Sequence, residues 1–363
     1  MQCSEYLPDQ SELHGKMIPG AFAVYRLPLQ KVKVIMSGNA RLLSGTSGFL
    51  TGRPGFVMAP FYADSPNIWL EADKISSSSE SVIKIPSGKG QIPVFEEGKI
   101  IEVQEHEYIM QVNKIIELIH AGHAGKVVLS RQLSKMLNED FNATTLFNLL
   151  CSLYPEAFVY LIFIPGYAIW TGASPETLLR RRSLKISTMA LAGTRLAEES
   201  GQWGIKETEE HSIVVDYIQK VLKESGCKNI YKSEPSSVNA GRVMHLCTRF
   251  EAGFQSDSLP LIISALHPTP AVCGWPADKA MEIIRKTEKH NRSYYAGYLG
   301  PVGPESADLF VNLRCLQLFK GRAVIYTGGG LTSASNPQAE WDETVLKSTT
   351  MLSAIEKMQN LAV

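Results

Sequence analysis

The stretch FVYLIFI-PG-YAIWTGA, Phe158 to Ala173, decides the fold. Two short runs of aromatic and β-branched residues flank Pro165-Gly166, a spacing that predicts two strands joined by a tight turn. The longest purely apolar run, Ala157 to Ile164, is about eight residues, against the roughly 20 a membrane-spanning helix needs, so it reads as a buried strand. Working outward, Lys126 to Arg131 (KVVLSR), Leu184 to Leu191 and Leu309 to Phe319 read as further strands. Between and after them lie helical patterns. In Glu105 to His123, Ile109, Val112, Ile115, Ile116 and Ile119 recur near the 3.6 period and end at Gly122 and Gly125. Helical spacing returns over Glu207 to Glu224, Pro276 to His290 and Gln338 to Met358. Runs of strands followed by helices predict an α+β fold with a large antiparallel sheet.

The 363 residues carry 36 Lys+Arg and 36 Asp+Glu, so no long-range field favours nucleic acid or an anionic membrane. The polar N-terminus, MQCSEYLPDQSELHG, lacks the order of a secretory signal, and a cytoplasmic address is expected. The six cysteines are too far apart for a zinc site and are expected as free thiols. Ile75 to Gln91, dense in Ser, Gly and Pro, reads as a mobile loop that separates a scaffold segment, residues 1–95, from a catalytic region, residues 96–363.

Several constellations bear on chemistry. Glu207 and Glu210 stand at i and i+3, as do Glu340 and Glu343, with Lys347 four residues beyond. This stacks carboxylates on one face of each helix, where they are either solvated or bound to a cation; two such faces meeting would suit Mg²⁺. Gly328-Gly329-Gly330 follows an apolar strand and reads as a tight turn or as a nest of backbone N–H groups for an anion. Lys126 heads a strand, where a snorkelling lysine is the ordinary reading. Glu176, after Ser174-Pro175, reads as a first-turn helix carboxylate. Arg314 lies in the alternating pattern LFVNLRCLQLF on the face of Asn312, so it points to solvent or holds an anion. His245 on an apolar strand reads as a core histidine, Trp203 and Trp275 as packing, and Arg180 to Arg182 with Lys185 as a solvated hairpin.

Taken in order, GKVVLSR, TGASPETLLR, ALAGTR, KETEEHSIVVD, VMHLCTRFEAG, ALHPTPAVCGWP, NRSYYAGYLGPVG, FVNLRCLQLF, YTGGGL and EWDETVLKSTTML resemble the chorismate-utilising enzymes, from about Gly125 to Met358. This family includes isochorismate synthases, salicylate synthases, anthranilate synthase large subunits and aminodeoxychorismate synthases. The resemblance implies antiparallel sheets forming a central sandwich with helices outside. It implies a Mg²⁺ shell of Glu210 and Glu343, with Glu207 and Glu340 beside them. It places Arg314, Tyr295, Lys347 and the amides of Gly328, Gly329 and Gly330 on the enolpyruvyl carboxylate, and Gly193, Thr194 and His245 around the ring. Lys126 matches the lysine that activates water, where amine-adding members carry glutamine, and Glu176 the general acid. Ala192 stands where aminodeoxychorismate synthases carry a lysine nucleophile.

The implied activity is Mg²⁺-dependent, reversible isomerisation of chorismate to isochorismate, by water attack at C2 and loss of the C4 hydroxyl. The segment His267 to Gly274 favours this over a salicylate synthase, which would go on to eliminate pyruvate. A non-catalytic chorismate-binding protein would need no acid–base pair. Neither an amidotransferase subunit nor tryptophan inhibition is expected, and the implied assembly is a monomer or weak homo-oligomer.

Overall fold

The computed structural model describes residues 16–80, 82, 100–196, 198, 201–240 and 243–360. The first strands are β1 (Ile18–Arg26), β2 (Lys33–Leu43), β3 (Gly55–Ala59) and β4 (Asn67–Ser78). Then follow α1 (Glu105–His120), β5 (Lys126–Met136), α2 (Ala143–Leu153), β6 (Phe158–Ile164), β7 (Ala168–Ser174), β8 (Thr177–Arg182) and β9 (Lys185–Leu196). Next come α3 (Ile205–Glu224), β10 (Lys228–Lys232), β11 (Ser236–Ala240), β12 (Val243–Gly253), α4 (Leu259–Leu266), β13 (Gly274–Trp275) and α5 (Ala277–Thr287). The chain closes with β14 (Tyr298–Val302), β15 (Ser306–Val311), β16 (Cys315–Phe319), β17 (Arg322–Leu331) and α6 (Pro337–Asn360).

The strands hydrogen-bond into one continuous antiparallel ribbon. From one end it runs β13, β5, β17, β16, β7, β6, β1 and β2. It continues through β4, β3, β14, β15, β8, β9 and β12, and β12 also pairs with β10 and β11. The ribbon folds back on itself. Phe158 of β6 stacks on Phe310 of β15, with centroids 4.1 Å apart and planes within 4°, although several strands separate the two along the ladder. The sandwich is thus one sheet doubled over a single core.

Strand β6 shows why its sequence has no polar alternation. Phe158, Tyr160, Ile162 and Ile164 enter the core between the folded halves. Val159 and Leu161 face outward, but α2 and α6 cover them with Phe147, Leu150, Met351 and Ile355. A strand buried on both faces must be apolar throughout, a pattern more often met in parallel sheets. The other sequence-predicted helices are found within a few residues of their expected bounds, whereas α2 and α4 were not expected.

Three expectations need correction. Residues Ile75–Ser78, assigned to the linker, complete β4, where Ile75 to Ser78 pair with Met36 to Lys33; of the remainder, 81 and 83–91 lie outside the described residues. The run Leu309 to Phe319 is not one strand. β15 stops at Val311, and Arg314 has φ +48° before β16 begins. Asn312 causes the break, because its side chain takes a hydrogen bond from Tyr160 Oη (2.7 Å) and gives one to Tyr294 O (2.8 Å). Glu176, finally, is not helical. It sits in the Pro175-Glu176 step between β7 and β8, where its carbonyl accepts from Val311 N at 3.0 Å. Cys227, Cys247, Cys273 and Cys315 are buried free thiols and Cys151 is half-buried and free, whereas Cys3 lies outside the described residues.

Candidate active site

The two ends of the ribbon face each other across a partly open cavity of about 80 Å³. One wall is β5 and β17, the other β9 and β12, with α3 and α6 at the rim. Of the expected substrate-binding residues, Gly193, Thr194, His245, Tyr295, Arg314, Gly328, Gly329, Gly330 and Lys347 all line it, together with Glu176 and Glu210. Sequence reasoning missed Pro175, Ala271, Val272 and Tyr326, which also form its surface.

Lys126 heads β5 and is fully buried, so it is not a snorkelling side chain. It lies just behind the lining: its Cε is 3.0 Å from where a Cβ on Gly330 would stand, and its Nζ is 2.9 Å from Glu210 Oε1. The strand that carries it is clamped by a buried ion pair. Glu288 Oε1 accepts from Ser130 N (2.7 Å), Ser130 Oγ (2.9 Å) and Arg292 Nη2 (2.6 Å). Arg292 in turn donates to Val128 O (2.7 Å) and Val272 O (2.9 Å). Against the upward push of burial, Arg292 holds the Glu288 carboxyl below its usual range.

Glu176 is 3% exposed. Burial pushes its carboxyl up to about 8, and the cations Lys126 and Lys347 only partly oppose this. It is therefore protonated at neutral pH.

Arg314 aims its guanidinium at α6, where Nη1 donates to Lys347 O (3.1 Å) and Thr350 Oγ1 (3.0 Å). Its buried Nη2 has no partner among the described residues. A buried, half-used guanidinium in a left-handed residue is a strained arrangement suited to an anion. Tyr295 stacks on Tyr326 with centroids 5.5 Å apart, and Tyr326 stacks on Trp170 at 5.2 Å.

The acidic residues gather at the glycine triplet. Glutamates 340 and 343 with Lys347 form one stripe of α6, since residues three and four apart share a face. A Cβ on Gly329 would stand 3.2 Å from Glu340 Oε2 and 3.8 Å from Glu343 Oε1, and one on Gly330 only 2.5 Å from Glu210 Oε1. Each of these acids is paired with a lysine: Lys126 with Glu210 (2.9 Å), Lys206 with Glu340 (2.5 Å) and Lys347 with Glu343 (2.5 Å). Lys206, which sequence reasoning left without a role, thus belongs to the site. Burial, then Glu343, raises the Glu340 carboxyl, while against burial Lys347 lowers that of Glu343. Glu207 stands apart. It lines a neighbouring groove with Trp203 and Glu343 and tucks its carboxylate against Gly204.

Among the described residues no three acids converge closely enough to form a ready cation cage. The donor set nonetheless fits a hard divalent ion. Among the described residues Glu340 Oε2 is buried without a partner, Glu210 and Glu343 lie beside it, and the triplet leaves no Cβ in the space between.

The chorismate binding enzyme family matches residues 66–356. Isochorismate synthase 2, chloroplastic, of Arabidopsis thaliana is 29% identical over 327 residues, covering 84% of this chain and 58% of the relative. Isochorismate synthase EntC of Escherichia coli K12 is 30% identical over 239 residues, covering 62% of this chain and 61% of the relative. The matches thus span about three fifths of these curated relatives. A crystal structure described as a putative 2,3-dihydroxybenzoate-specific isochorismate synthase, DhbC, from Bacillus anthracis superposes with a TM-score of 0.78 at 22% identity, covering 93% of this chain and 96% of that one. With that match, over a doubled antiparallel ribbon whose two ends enclose a cation-lined cavity, the chain belongs to the chorismate binding enzyme family.

Proposed function

We propose that this protein is an isochorismate synthase, an isomerase that converts chorismate to isochorismate with Mg²⁺ as cofactor. One observation carries the reading: a carboxylic acid held protonated, Glu176, shares a cavity with the half-free guanidinium of Arg314 and lies within electrostatic reach of the buried amine of Lys126. That arrangement can bind a dianionic ring and exchange protons with it from two sides.

In this mechanism Arg314 Nη2 and the Tyr295 hydroxyl bind the enolpyruvyl carboxylate, with Lys347 and the amides of the glycine triplet beside them. Glu210, Glu340 and Glu343 would hold Mg²⁺, with Glu207 one turn away on α3; when bound, the ion would supply charge neutralisation for the ring carboxylate. Lys126 takes the proton from the water that attacks C2, and Glu176 gives its proton to the departing C4 hydroxyl. A lysine acts as base only as the free amine, so the Nζ proton held toward Glu210 must leave for solvent before water attacks C2. Water as nucleophile leaves no need for an amidotransferase subunit, and among the described residues no helix is long and apolar enough to cross a membrane.

The test is product analysis by chromatography after incubating the protein with chorismate, with and without Mg²⁺. Isochorismate formed only with Mg²⁺ is the expected result. Salicylate with pyruvate, or no turnover, would overturn the reading.

A further inference from the structure

Lys206 stands in the first turn of α3 and Glu340 in the first turn of α6, 134 positions apart in the chain. Their pair crosses the rim, with Nζ 2.5 Å from Oε1, and it is unequal: the lysine side chain is 25% exposed and the carboxylate only 1%. The ammonium takes one oxygen of Glu340 and leaves the other, Oε2, buried and without a hydrogen bond among the described residues. The Ser335 hydroxyl stands near the same carboxyl and accepts from Thr332 N at 3.1 Å. The free oxygen has a direction. A Cβ on Gly329 would lie 3.2 Å from it and 3.8 Å from Glu343 Oε1, so both acids face the same stretch of bare backbone.

Glu210 and Glu343 are held in the same way, each by its Oε1, to Lys126 at 2.9 Å and to Lys347 at 2.5 Å. All three acids therefore give one oxygen to an ammonium. Lys347 also donates to Gly328 O at 3.1 Å, and Lys126 serves the water in the proposed chemistry. Lys206 is not part of the cavity wall, so whatever it does there passes through Glu340. The number of oxygens a carboxylate offers separates the two common hard cations. Ca²⁺ takes roughly six to eight oxygens and readily binds both from one carboxylate, whereas Mg²⁺ takes about six in a strict octahedron and keeps several waters. The bite of a single carboxylate is too narrow for an edge of that octahedron.

We propose that Lys206 is a positioning residue that sets the metal preference of the site: by holding Glu340 Oε1 it makes the carboxylate a one-oxygen ligand, which suits Mg²⁺ and denies Ca²⁺ a chelate. The inference rests on the cation site of the isochorismate synthase reading and concerns which ion that site takes. Removing the ammonium frees Oε1. Ca²⁺ then gains an oxygen that Mg²⁺ cannot use, while the loss of a like charge favours both ions alike. The ratio of the two affinities moves, whereas a general loosening of the site would leave it unchanged.

Titration calorimetry of the full chain with MgCl₂ and with CaCl₂ reads that ratio without turnover. The wild type should bind Mg²⁺ at least as tightly as Ca²⁺. Lys206→Met should shift the ratio toward Ca²⁺ by about 10-fold. Glu340→Gln supplies a second arm, because an amide offers a single oxygen: it should keep the wild-type ratio at lower affinity. Adding Lys206→Met to Glu340→Gln should then change the ratio by less than about twofold. This arm carries no stranded buried charge, so it decides the matter even where Lys206→Met alone fails to fold. A ratio in folded Lys206→Met within about twofold of the wild type, or a shift that persists beside Glu340→Gln, overturns the proposal. If the wild type binds neither ion, the cation site itself falls, and with it the Mg²⁺ of the proposed function. If it binds both and the ratio stays put, the site stands and only the role of Lys206 is lost.

Discussion

At residue 176 a common sequence, Ser-Pro-Glu, carries a carboxyl pushed up to about 8 because burial disfavours its charged form. The same shift sets the sign of its pH dependence. A carboxyl raised from 4.5 to about 8 is ionised in the unfolded chain and neutral in the folded one between those values, so its contribution to stability falls as pH rises from about 4.5 and is gone above about 8, where the acid is lost too. Turnover in the isochorismate-forming direction should therefore fall above pH 8. Thermal melts between pH 4.5 and 8 should show a loss with rising pH in the wild type that is smaller in Glu176→Gln; identical melting profiles would argue that the carboxyl is not held neutral. Lys126→Gln and Glu176→Gln should each lower kcat by about 10²- to 10⁴-fold with the fold intact by circular dichroism. Near-normal turnover in either variant would remove that residue from the mechanism.

Helix α6 shows what one element contributes. A single stripe carries Glu340, Glu343, Lys347 and Thr350, so the candidate cation site and the support for Arg314 move as one rigid piece. The facing element is the glycine triplet of β17. A side chain at 330 would collide with Glu210 Oε1 and Lys126 Cε, so Gly330→Ala should weaken Mg²⁺ binding, read by calorimetry, while the melting temperature shifts by only a few degrees. Strand β5 depends on a different contact. Glu288→Gln leaves Arg292 buried without its counter-charge and should cost about 3–5 kcal/mol in urea unfolding; a loss under 1 kcal/mol would show that β5 holds without the pair.

At the scale of the whole molecule, the cavity exists only because the ribbon doubles over and brings β5 and β17 opposite β9 and β12. A cation bound between α3 and α6 would tie the two ends together and, binding only the folded chain, raise its stability. Mg²⁺ at a hundred times its Kd should add about 2.7 kcal/mol. Glu343→Ala should abolish that gain in calorimetric melts, and turnover should cease in EDTA. Full activity in EDTA would refute the cation assignment.

The sequence by itself determined the apolar strands, the helix faces and the order of the motifs, because side-chain periodicity is local and survives without tertiary context. It placed Glu210, Glu343, Arg314 and His245 on elements but left each with an ordinary alternative, since i, i+3 carboxylates or a strand histidine look alike whether solvated, buried or bound. It also misplaced Arg314 within an unbroken strand, because the break comes from Tyr160 and Tyr294, both remote in sequence, gripping Asn312. Tertiary structure alone decided that Glu176 is buried, that Lys206 neutralises Glu340, and that the Gly193 carbonyl meets His245. Each of these depends on residues far apart in the chain arriving within hydrogen-bonding distance, and no local pattern encodes that arrival.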